Sequence, residues 1–460
     1  MKRFIYFTLC VVASFVAVRA SAQINSSYFM QGSYFRNDFN PALAPTRGYV
    51  ALPFMSGIGA EIDNNFLSVN NFFFKNGSEV VTALHGSVTS KEFLRHLPNT
   101  GKFAANLNAN ILGVGFHTES SFWNFGVNLR SNNELAVSKD IFKVMKSLGN
   151  GYYNLDNTSF SSTSYAEIYL GHTRKIVDLS FGTLTAGAKL KILAGLMNAS
   201  SEIDQMYVDI TSDKVEGHLR GSIRASGLIF DPSEVVAGDK FSDDVICTDM
   251  SSILGNFKNF GAAIDLGAEM TLLDERLRVS AALVDLGFIK WSKKSHIEAE
   301  AYADYLFKGM DFDANEVDSD GDADIYMKNV GKGGYVTRLN CALNLGGEYN
   351  ILEDRIGFGL LSHTEFGHTA AITELTASVN FRPSDWFSAT VSHTLLNRNR
   401  IGVFGLALNL HPTGFNFFVG ADYLPLKMVK YKALSIPYNV KSFNLYMGIG
   451  FNLGKAKYID

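Results

Sequence analysis

The sequence of 460 residues has little cysteine, little proline and no long apolar run beyond its first residues. Of its three cysteines, Cys10 lies in the N-terminal apolar stretch, Cys247 in a polar segment and Cys341 on an apolar strand face, so a disulfide is not expected. Past residue 22 no apolar run reaches the roughly 18 residues that a spanning helix needs. Only a closed β-barrel could therefore place this chain in a membrane.

Positive charge and catalytic motifs are also scarce. Without Lys2, Arg3 and Arg19 of the expected signal peptide, 41 − 3 = 38 basic residues stand against 45 acidic ones, a formal charge of −7. This balance argues against nucleic acid as a partner. The sequence contains no nucleophile elbow, Walker loop, dinucleotide fingerprint or paired-cysteine metal spacing. We therefore expect neither an enzyme nor a cofactor.

The first 22 residues have the pattern of a secretory signal peptide. Lys2 and Arg3 precede an apolar run from Phe4 to Val18, and Ala20-Ser21-Ala22 offers a cleavage site before Gln23. We therefore divide the chain into a signal peptide over residues 1–22, a hatch or plug segment over residues 23–46, and a barrel over residues 47–460.

The last strand shows the barrel pattern most clearly. From Phe443 to Leu453 apolar residues alternate with polar or small ones, which is the period of a β-strand with one face in lipid and the other in a polar lumen. Similar segments recur, and short and long connections alternate between them as in bacterial barrels. Fourteen strands are predicted, at about 47–63, 104–117, 122–130, 163–174, 182–194, 257–272, 276–290, 336–349, 355–364, 374–382, 386–395, 401–410, 415–424 and 443–453.

These patterns predict an all-β fold: a transmembrane antiparallel β-barrel of about fourteen strands with long extracellular loops, in the outer membrane of a Gram-negative bacterium. Outer-membrane lipid is then an obligatory partner. Residues 203–226 are expected to form a hairpin on the outer side. Helices are expected at 88–97 and 138–148 in two of the outer loops.

The motif Asn40-Pro41-Ala42, just before the first strand, resembles the signature of the plug in FadL-type outer-membrane channels for hydrophobic compounds. Tyr28-Phe29-Met30 and the stretches at 129–132, 165–168 and 285–291 resemble an uncharacterised Bacteroidetes outer-membrane barrel family, a domain of unknown function that is distantly similar to PorV-type proteins. The resemblance implies a FadL-like barrel that is plugged by its own N-terminus.

Two functions follow from the resemblance. The leading hypothesis is a channel or uptake protein for small hydrophobic or amphipathic molecules. The alternative is a non-transporting scaffold or accessory protein in secretion or envelope assembly, with envelope or secretion proteins as partners. The predicted inward faces are rich in Asn, Thr, Ser and charge, whereas a path for fatty acids needs an apolar pocket. The pocket of a transporter would then have to come from the loops and the plug.

The two loop helices are candidates for a ligand entrance, because their apolar faces could pack together and cap the barrel; a mere lid is the alternative. The residues concerned are Phe93, Leu94, Leu97, Ile141, Phe142, Val144, Met145 and Leu148. A wall irregularity is expected between Ile111 and Gly115, where the apolar phase shifts.

Two sets of charged residues are singled out. Lys189, Lys191, Asp265 and Glu269 face the predicted lumen, where they either pair to hold the barrel or plug or form a charged permeation track. In the run 311–324, oxygen ligands at alternate positions suit Ca²⁺ in part, through Glu316, Asp318, Asp320 and Asp322. A solvated loop tip is the alternative for this run.

Overall fold

The computed structural model confirms the fourteen-stranded antiparallel barrel. It describes residues 25–53, 57–66, 68–76, 79–146, 149–227, 258–311, 316–320, 326–329, 333–367, 371–396, 403–424, 428–431, 434–437 and 442–456. The expected signal peptide, residues 1–22, lies outside this part of the chain, as do Cys247, Leu148 and Asp322.

The barrel strands, numbered β1 to β14, each pair with their neighbours in sequence, and β14 closes the barrel on β1. β1 and β8 are each interrupted once. The strands are β1 (Gly48–Ala51 and Ile58–Asn64), β2 (Thr100–His117), β3 (Ser121–Ser138), β4 (Ser159–Leu179), β5 (Gly182–Ile210), β6 (Phe260–Leu272), β7 (Leu277–Trp291), β8 (Tyr335–Arg338 and Cys341–Ile351), β9 (Ile356–Phe366), β10 (Ala371–Ser384), β11 (Phe387–Leu396), β12 (Val403–Leu410), β13 (Phe415–Leu424) and β14 (Ser442–Leu453).

The two faces of the strands differ as a membrane barrel requires. On β5, Leu190 and Ile192 are 63% and 65% exposed, whereas Lys189 and Lys191, which alternate with them, are buried in the lumen. An apolar outer belt avoids the free-energy cost of charge in hydrocarbon. Among the described residues no helix is long and apolar enough to cross a membrane.

Several strands are longer than predicted, and three of them exceed the prediction by nine or more residues. β3, β4 and β5 continue past the ends expected at residues 130, 174 and 194, because beyond the bilayer they no longer need an apolar face and the alternation fades. The outer end of β5 forms the predicted hairpin with Val215–Gly227. Pairing with Gly151–Asn154, His296–Asp311, Glu316–Asp320 and Tyr326–Asn329 widens it into an outer sheet.

The outer loops also carry the expected helices in shorter form. The expected helices are α2 (Ser90–Leu94) and α3 (Lys139–Lys146), and a short helix that was not predicted, α1 (Val69–Phe72), precedes them. The side chain of Thr89 caps α2 by accepting from the backbone N–H of Glu92 at 3.2 Å. Two hairpins accompany them: Phe73–Asn76 with Glu79–Thr82, and Met428–Tyr431 with Leu434–Pro437.

The plug segment, residues 23–46, is described from Asn25 onward and lies inside the barrel. It contains one 3₁₀ helix, Tyr34–Asp38, and reaches β1 through Pro45. Its aromatic side chains form the main buried cluster with inward-facing residues of the wall: Tyr28, Phe29, Tyr34, Phe35, Phe39, Tyr49, Phe122, Phe418 and Tyr446. The core of this protein is therefore the interior of the barrel.

A lysine on the lipid face near the middle of a strand should destabilise the barrel. Val379 lies there on β10 and is 47% exposed. We expect Val379→Lys to lower the free energy of unfolding by about 2–4 kcal/mol, because the charge would face hydrocarbon. Urea unfolding in phospholipid vesicles measures this. Asp213→Lys, in an exposed outer turn, serves as the control and should change the free energy by less than about 0.5 kcal/mol. Equal effects would contradict the assigned lipid face.

Candidate functional site

The barrel wall binds the backbone of the plug segment through inward-facing polar side chains. Carbonyl groups inside a barrel must find donors, because unpaired buried polar groups are costly. The wall supplies these donors from six strands: Asn344 to the carbonyl of Phe39 at 2.8 Å, Asn409 to Gln31 at 3.2 Å, Asn416 to Gly32 at 2.8 Å, Thr173 to Pro41 at 2.5 Å and Arg382 to Phe29 at 3.1 Å, with His117 beside Pro45 at 2.8 Å.

The motif Asn40-Pro41-Ala42 forms a turn against the wall. The Asn40 side chain accepts from the backbone N–H of Ala42 at 2.9 Å and donates to the carbonyl of Ala268 at 3.3 Å. A Cβ at Gly187 would overlap the Pro41 carbonyl, and one at Gly267 would overlap the Asn40 side chain. Two wall glycines on β5 and β6 therefore make room for this turn.

Three acidic side chains surround Lys191 on the inner wall. Its Nζ lies 2.7 Å from Asp265, 2.5 Å from Asp285 and 3.9 Å from Glu167. Arg130 pairs with the same Glu167 at 3.0 Å. Asp285 occupies a bulge of β7 with a left-handed φ of 58°, and its backbone N–H donates to Asp265 at 2.7 Å. The bulge thus turns an extra carboxylate toward the lumen.

Of the other two predicted lumen charges, Lys189 contacts the plug segment and Glu269 interacts with it electrostatically. Lys189 Nζ lies 2.7 Å from Asp38 of the 3₁₀ helix. Glu269 interacts electrostatically with the buried Arg36, whose Nε also donates to the carbonyl of Tyr28 at 2.7 Å. Of the two expected roles for these charges, the geometry therefore favours holding the plug segment over a permeation track.

Above the plug segment, on the side of the long connections, the barrel encloses a cavity of about 730 Å³, which we call the vestibule. This is the outer side if the short turns face the periplasm. Acidic side chains outnumber basic ones in its lining. The acidic residues are Glu61, Asp63, Glu134, Glu202, Glu365 and Glu374, the basic ones are Lys102, Arg224 and Arg338, and the apolar ones include Phe103, Leu135, Phe160, Val336 and Ile372.

An ion pair of the outer sheet reaches the rim of the vestibule. Arg224, which lines the vestibule, donates to Glu298 at 2.8 Å. This hydrogen bond holds the pKa of the Glu298 carboxyl below its usual range. The ion pair therefore favours the charged form of Glu298. It also links the strand Val215–Gly227 to the neighbouring strand His296–Asp311.

The two loop helices meet through Phe93 and Phe142, whose ring centroids lie 6.1 Å apart. Phe93 and Leu97 are buried, and Leu94 and Phe142 pack against the same cluster, as does Phe103, which also lines the vestibule. Ile141 and Val144 are half-buried, and Met145 is exposed. The helices therefore form a lid that borders the vestibule, with Met145 outside its core.

The suggested Ca²⁺ run lies partly outside the described residues, which include Glu316, Asp318 and Asp320 but not Asp322. Glu316, Asp318 and Asp320 lie in the strand Glu316–Asp320, paired with His296–Asp311. Their backbone is extended, and Ca²⁺ binding by this run stays a prediction. No group of three His, Cys, Asp or Glu side chains that could hold a metal ion occurs among the described residues.

The wall irregularity predicted near Ile111 is present. The pairing of β2 with β3 shifts between Asn110 and Leu112. On the other side, Ala51 pairs with Gly113 and Ile58 with Ala109, and the pairing of β1 with β2 is interrupted between these two positions. The interruption of β1 around Pro53 and the shift in β2 therefore lie side by side.

Several residues of the site were not found from the sequence. They are the vestibule carboxylates Glu61, Asp63 and Glu374, the bulge residue Asp285, and Asp38 and Arg36 of the plug segment. Glu61 and Glu374 could have been predicted to face the lumen, because each is a charged residue on the strand face that carries small or polar residues. Nothing in the local pattern indicated the bulge at Asp285, which shifts the phase of its strand.

A model described as a family of unknown function (DUF5723) matches residues 41–422. The chain belongs to this family. No curated protein matches it. Among solved structures, the DUF5723 chain is similar to the toluene transporter TbuX of Ralstonia pickettii, with 8% identity, a TM-score of 0.42 and 95% of each chain covered. It is similar to the toluene transporter TodX of Pseudomonas putida, with 9% identity, a TM-score of 0.41, and 95% and 96% covered.

Removing Lys191 should destabilise this DUF5723 protein strongly, because three carboxylates would lose their shared cation in the barrel interior. We expect Lys191→Ala to cost about 3–5 kcal/mol of unfolding free energy. The control is Lys175→Ala, which breaks the exposed pair with Asp178 at 3.4 Å and should cost less than about 1 kcal/mol. Urea unfolding in vesicles compares them, and a similar small loss for both variants would refute the role of Lys191.

Proposed function

We propose that this protein is an outer-membrane uptake protein for small amphipathic molecules, which enter the vestibule from outside a Gram-negative cell. The observation that carries the proposal is the vestibule itself, a cavity of about 730 Å³ above a filled lumen. Pockets for small organic molecules have volumes of about 300–1,000 Å³. A cavity above a filled lumen is suited to capturing a ligand and not to free diffusion of solutes.

The chemistry of the lining favours an amphipathic ligand over a hydrocarbon. Phe103, Leu135 and Phe160 offer an apolar surface on the side that the lid borders, whereas Glu61 and Glu374 offer polar carboxyl groups. A pure hydrocarbon would have to strip water from these carboxylates without replacing their hydrogen bonds. A molecule with one apolar and one polar end would satisfy both surfaces.

The wall offers a route of release that leaves the plug segment in place. Between the pairs Ala51–Gly113 and Ile58–Ala109 the ladder of hydrogen bonds from β1 to β2 is interrupted, although the backbone N–H of Asn110 donates to the carbonyl of Gly57 at 2.7 Å. An amphipathic molecule could leave there toward the lipid. The lid residues Phe93 and Phe142 would then border its entrance.

The second candidate function is a scaffold in secretion or envelope assembly. The filled lumen favours it, since a scaffold needs no passage, and the outer sheet gives a partner a large polar surface. Native pull-down from detergent-solubilised membranes, with lipid and metabolite extraction of the same sample, separates the two functions. Stoichiometric protein partners without any extracted small molecule would overturn the uptake proposal.

A bulky side chain in the vestibule should abolish uptake while the barrel remains folded. Ala104 lines the vestibule, so Ala104→Trp is expected to reduce uptake of a labelled amphipathic amine at least about tenfold by filling the cavity. The control is Ala166→Trp, which makes the same change on a half-buried strand position outside the vestibule. Uptake into proteoliposomes measures both, and heat-modifiability on gels confirms the barrel. Wild-type uptake by Ala104→Trp would exclude the vestibule from the path.

Deleting most of the plug segment should open the lumen. The segment's aromatic side chains fill the interior, so removing residues 25–42 would leave a channel lined by Asn, Thr and charge that water can enter. We expect a rise in conductance across planar bilayers, with the full-length protein as the control. Equal conductance of the two proteins would show that the plug segment is not what closes the barrel.

A further inference from the structure

A row of buried polar side chains links the plug segment to the vestibule. Asn344 on β8, His363 on β9 and Glu374 on β10 stand directly opposite one another in the register of the three strands. The Asn344 amide donates to the carbonyl of Phe39 at 2.8 Å, and His363 Nδ1 lies 2.6 Å from Asn344 Oδ1. Both His363 and Glu374 line the vestibule. The His363 ring therefore stands between the cavity and the residue that holds the plug segment.

The backbone of the plug segment determines which nitrogen of His363 carries the proton. A carbonyl oxygen only accepts, so the amide nitrogen of Asn344 faces Phe39 and its Oδ1 faces His363. Because Oδ1 also only accepts, the proton of the second hydrogen bond belongs to His363 Nδ1. In a neutral imidazole only one nitrogen is protonated, so Nε2 is left as a hydrogen-bond acceptor.

The Nε2 atom of His363 has no donor among the described residues. The side chain is only 8% exposed, and its one hydrogen bond in this part of the chain is the bond from Nδ1. Buried polar atoms in proteins are nearly always hydrogen-bonded, to protein or to water. The partner of a buried acceptor on the wall of a cavity therefore comes from what fills the cavity.

The carboxyl groups near His363 are acceptors as well. Both oxygens of Glu374 accept from neutral groups, from Asn25 at 2.7 Å and from Tyr423 at 2.8 Å. Glu365, two residues after His363 on the same strand, accepts from Asn340 at 3.0 Å and lines the vestibule. An anionic group placed among these acceptors would meet lone pairs where it needs donors.

Two of the three basic side chains of the lining are bonded to other parts of the protein. Arg224 donates to Glu298, and Arg338 donates to the carbonyl of Gly367 at 3.1 Å. The third, Lys102, belongs to β2 and so to a different part of the wall from β9. The polar surface around His363 is therefore built to receive donors.

We propose that His363 selects the ligand of the vestibule: its Nε2 accepts a hydrogen bond from the polar end of an amphipathic molecule, and this end is a donor, a hydroxyl or an amine, and not a carboxylate. The inference rests on the proposed uptake function and adds the head group. A site that hydrogen-bonds one group rejects an analogue that lacks it, because the buried atom of the site is then left unpaired. Asn344 is the positioning residue that keeps Nε2 free of a proton.

Three probes with the same six-carbon chain test the choice of head group. Hexylamine, hexanol and hexanoate are titrated into the barrel in lipid nanodiscs and followed by calorimetry, with empty nanodiscs as the blank for partitioning into lipid. We expect hexylamine and hexanol to bind at least about tenfold more tightly than hexanoate. Equal binding of the three, or tighter binding of hexanoate, would overturn the inference and leave the uptake proposal standing. Binding of none would refute both.

The variant His363→Asn separates the contact with the ligand from the contact with the wall. An asparagine amide can still donate to Asn344 but has no acceptor at the position of Nε2. We expect it to bind hexylamine and hexanol at least about tenfold more weakly, in a barrel that heat-modifiability shows to be folded. The matched control is His393→Asn, at a position that shares the lipid face of β11 with Val391 and Leu395, and it should bind as the unchanged protein does. Undiminished binding by His363→Asn would overturn the proposal.

Nitrogen NMR of the unsubstituted barrel tests the tautomer independently of any variant. Protonated and unprotonated imidazole nitrogens have well-separated chemical shifts, so the spectrum of His363 in the isotope-labelled protein shows where the proton lies. We expect a proton on Nδ1 and none on Nε2. A proton on Nε2, alone or together with one on Nδ1, would overturn the proposal.

Discussion

The structure depends on one interaction above all, the hydrogen bond from an inward-facing side chain of the wall to a backbone carbonyl of the plug segment. A barrel of fourteen strands is too wide for its own side chains to fill, so a second piece of chain has to complete the core. That piece brings backbone carbonyls into the interior, and each needs a donor. Asn344, Asn409 and Asn416 supply three of them. The lumen is therefore rich in amides because it binds a peptide, whatever else it binds.

The charged residues of the lumen follow the same logic. Lys189 neutralises Asp38 of the plug segment, and Lys191 stands among wall carboxylates one step further along β5. Buried ion pairs rarely add much stability over apolar packing, but they specify a unique arrangement, because any displacement leaves a charge unpaired. Together with the glycines that admit the turn at Pro41, they fix where the segment lies. The acidic vestibule lies on the outer side of these ion pairs.

The period of the strands made the fold predictable from sequence, whereas the site was largely not. Alternation over β5, β6, β10 and β14 sorts each side chain to lipid or lumen, and loop parity gives the strand count. The irregularity beside Ile111 could also be predicted, because the apolar residues change there from one face of the strand to the other. The contact between Lys189 and Asp38 joins residues 151 positions apart, and no local pattern carries such a pairing. The bulge at Asp285 depends on partners elsewhere in the chain, which overrode the local pattern.

The way the plug segment is held bears on how any ligand could pass. Each hydrogen bond to its backbone contributes on the order of 1 kcal/mol, and withdrawing the segment would also expose buried aromatic rings such as Phe35 and Tyr34. Ejecting it would therefore cost an amount comparable with the whole stability of a typical domain. The interaction of a small molecule with the vestibule cannot supply that much free energy. We therefore propose that a ligand crossing this barrel would go around the segment, through the interrupted pairing of β1 with β2 beside Ile111 and not along the lumen axis.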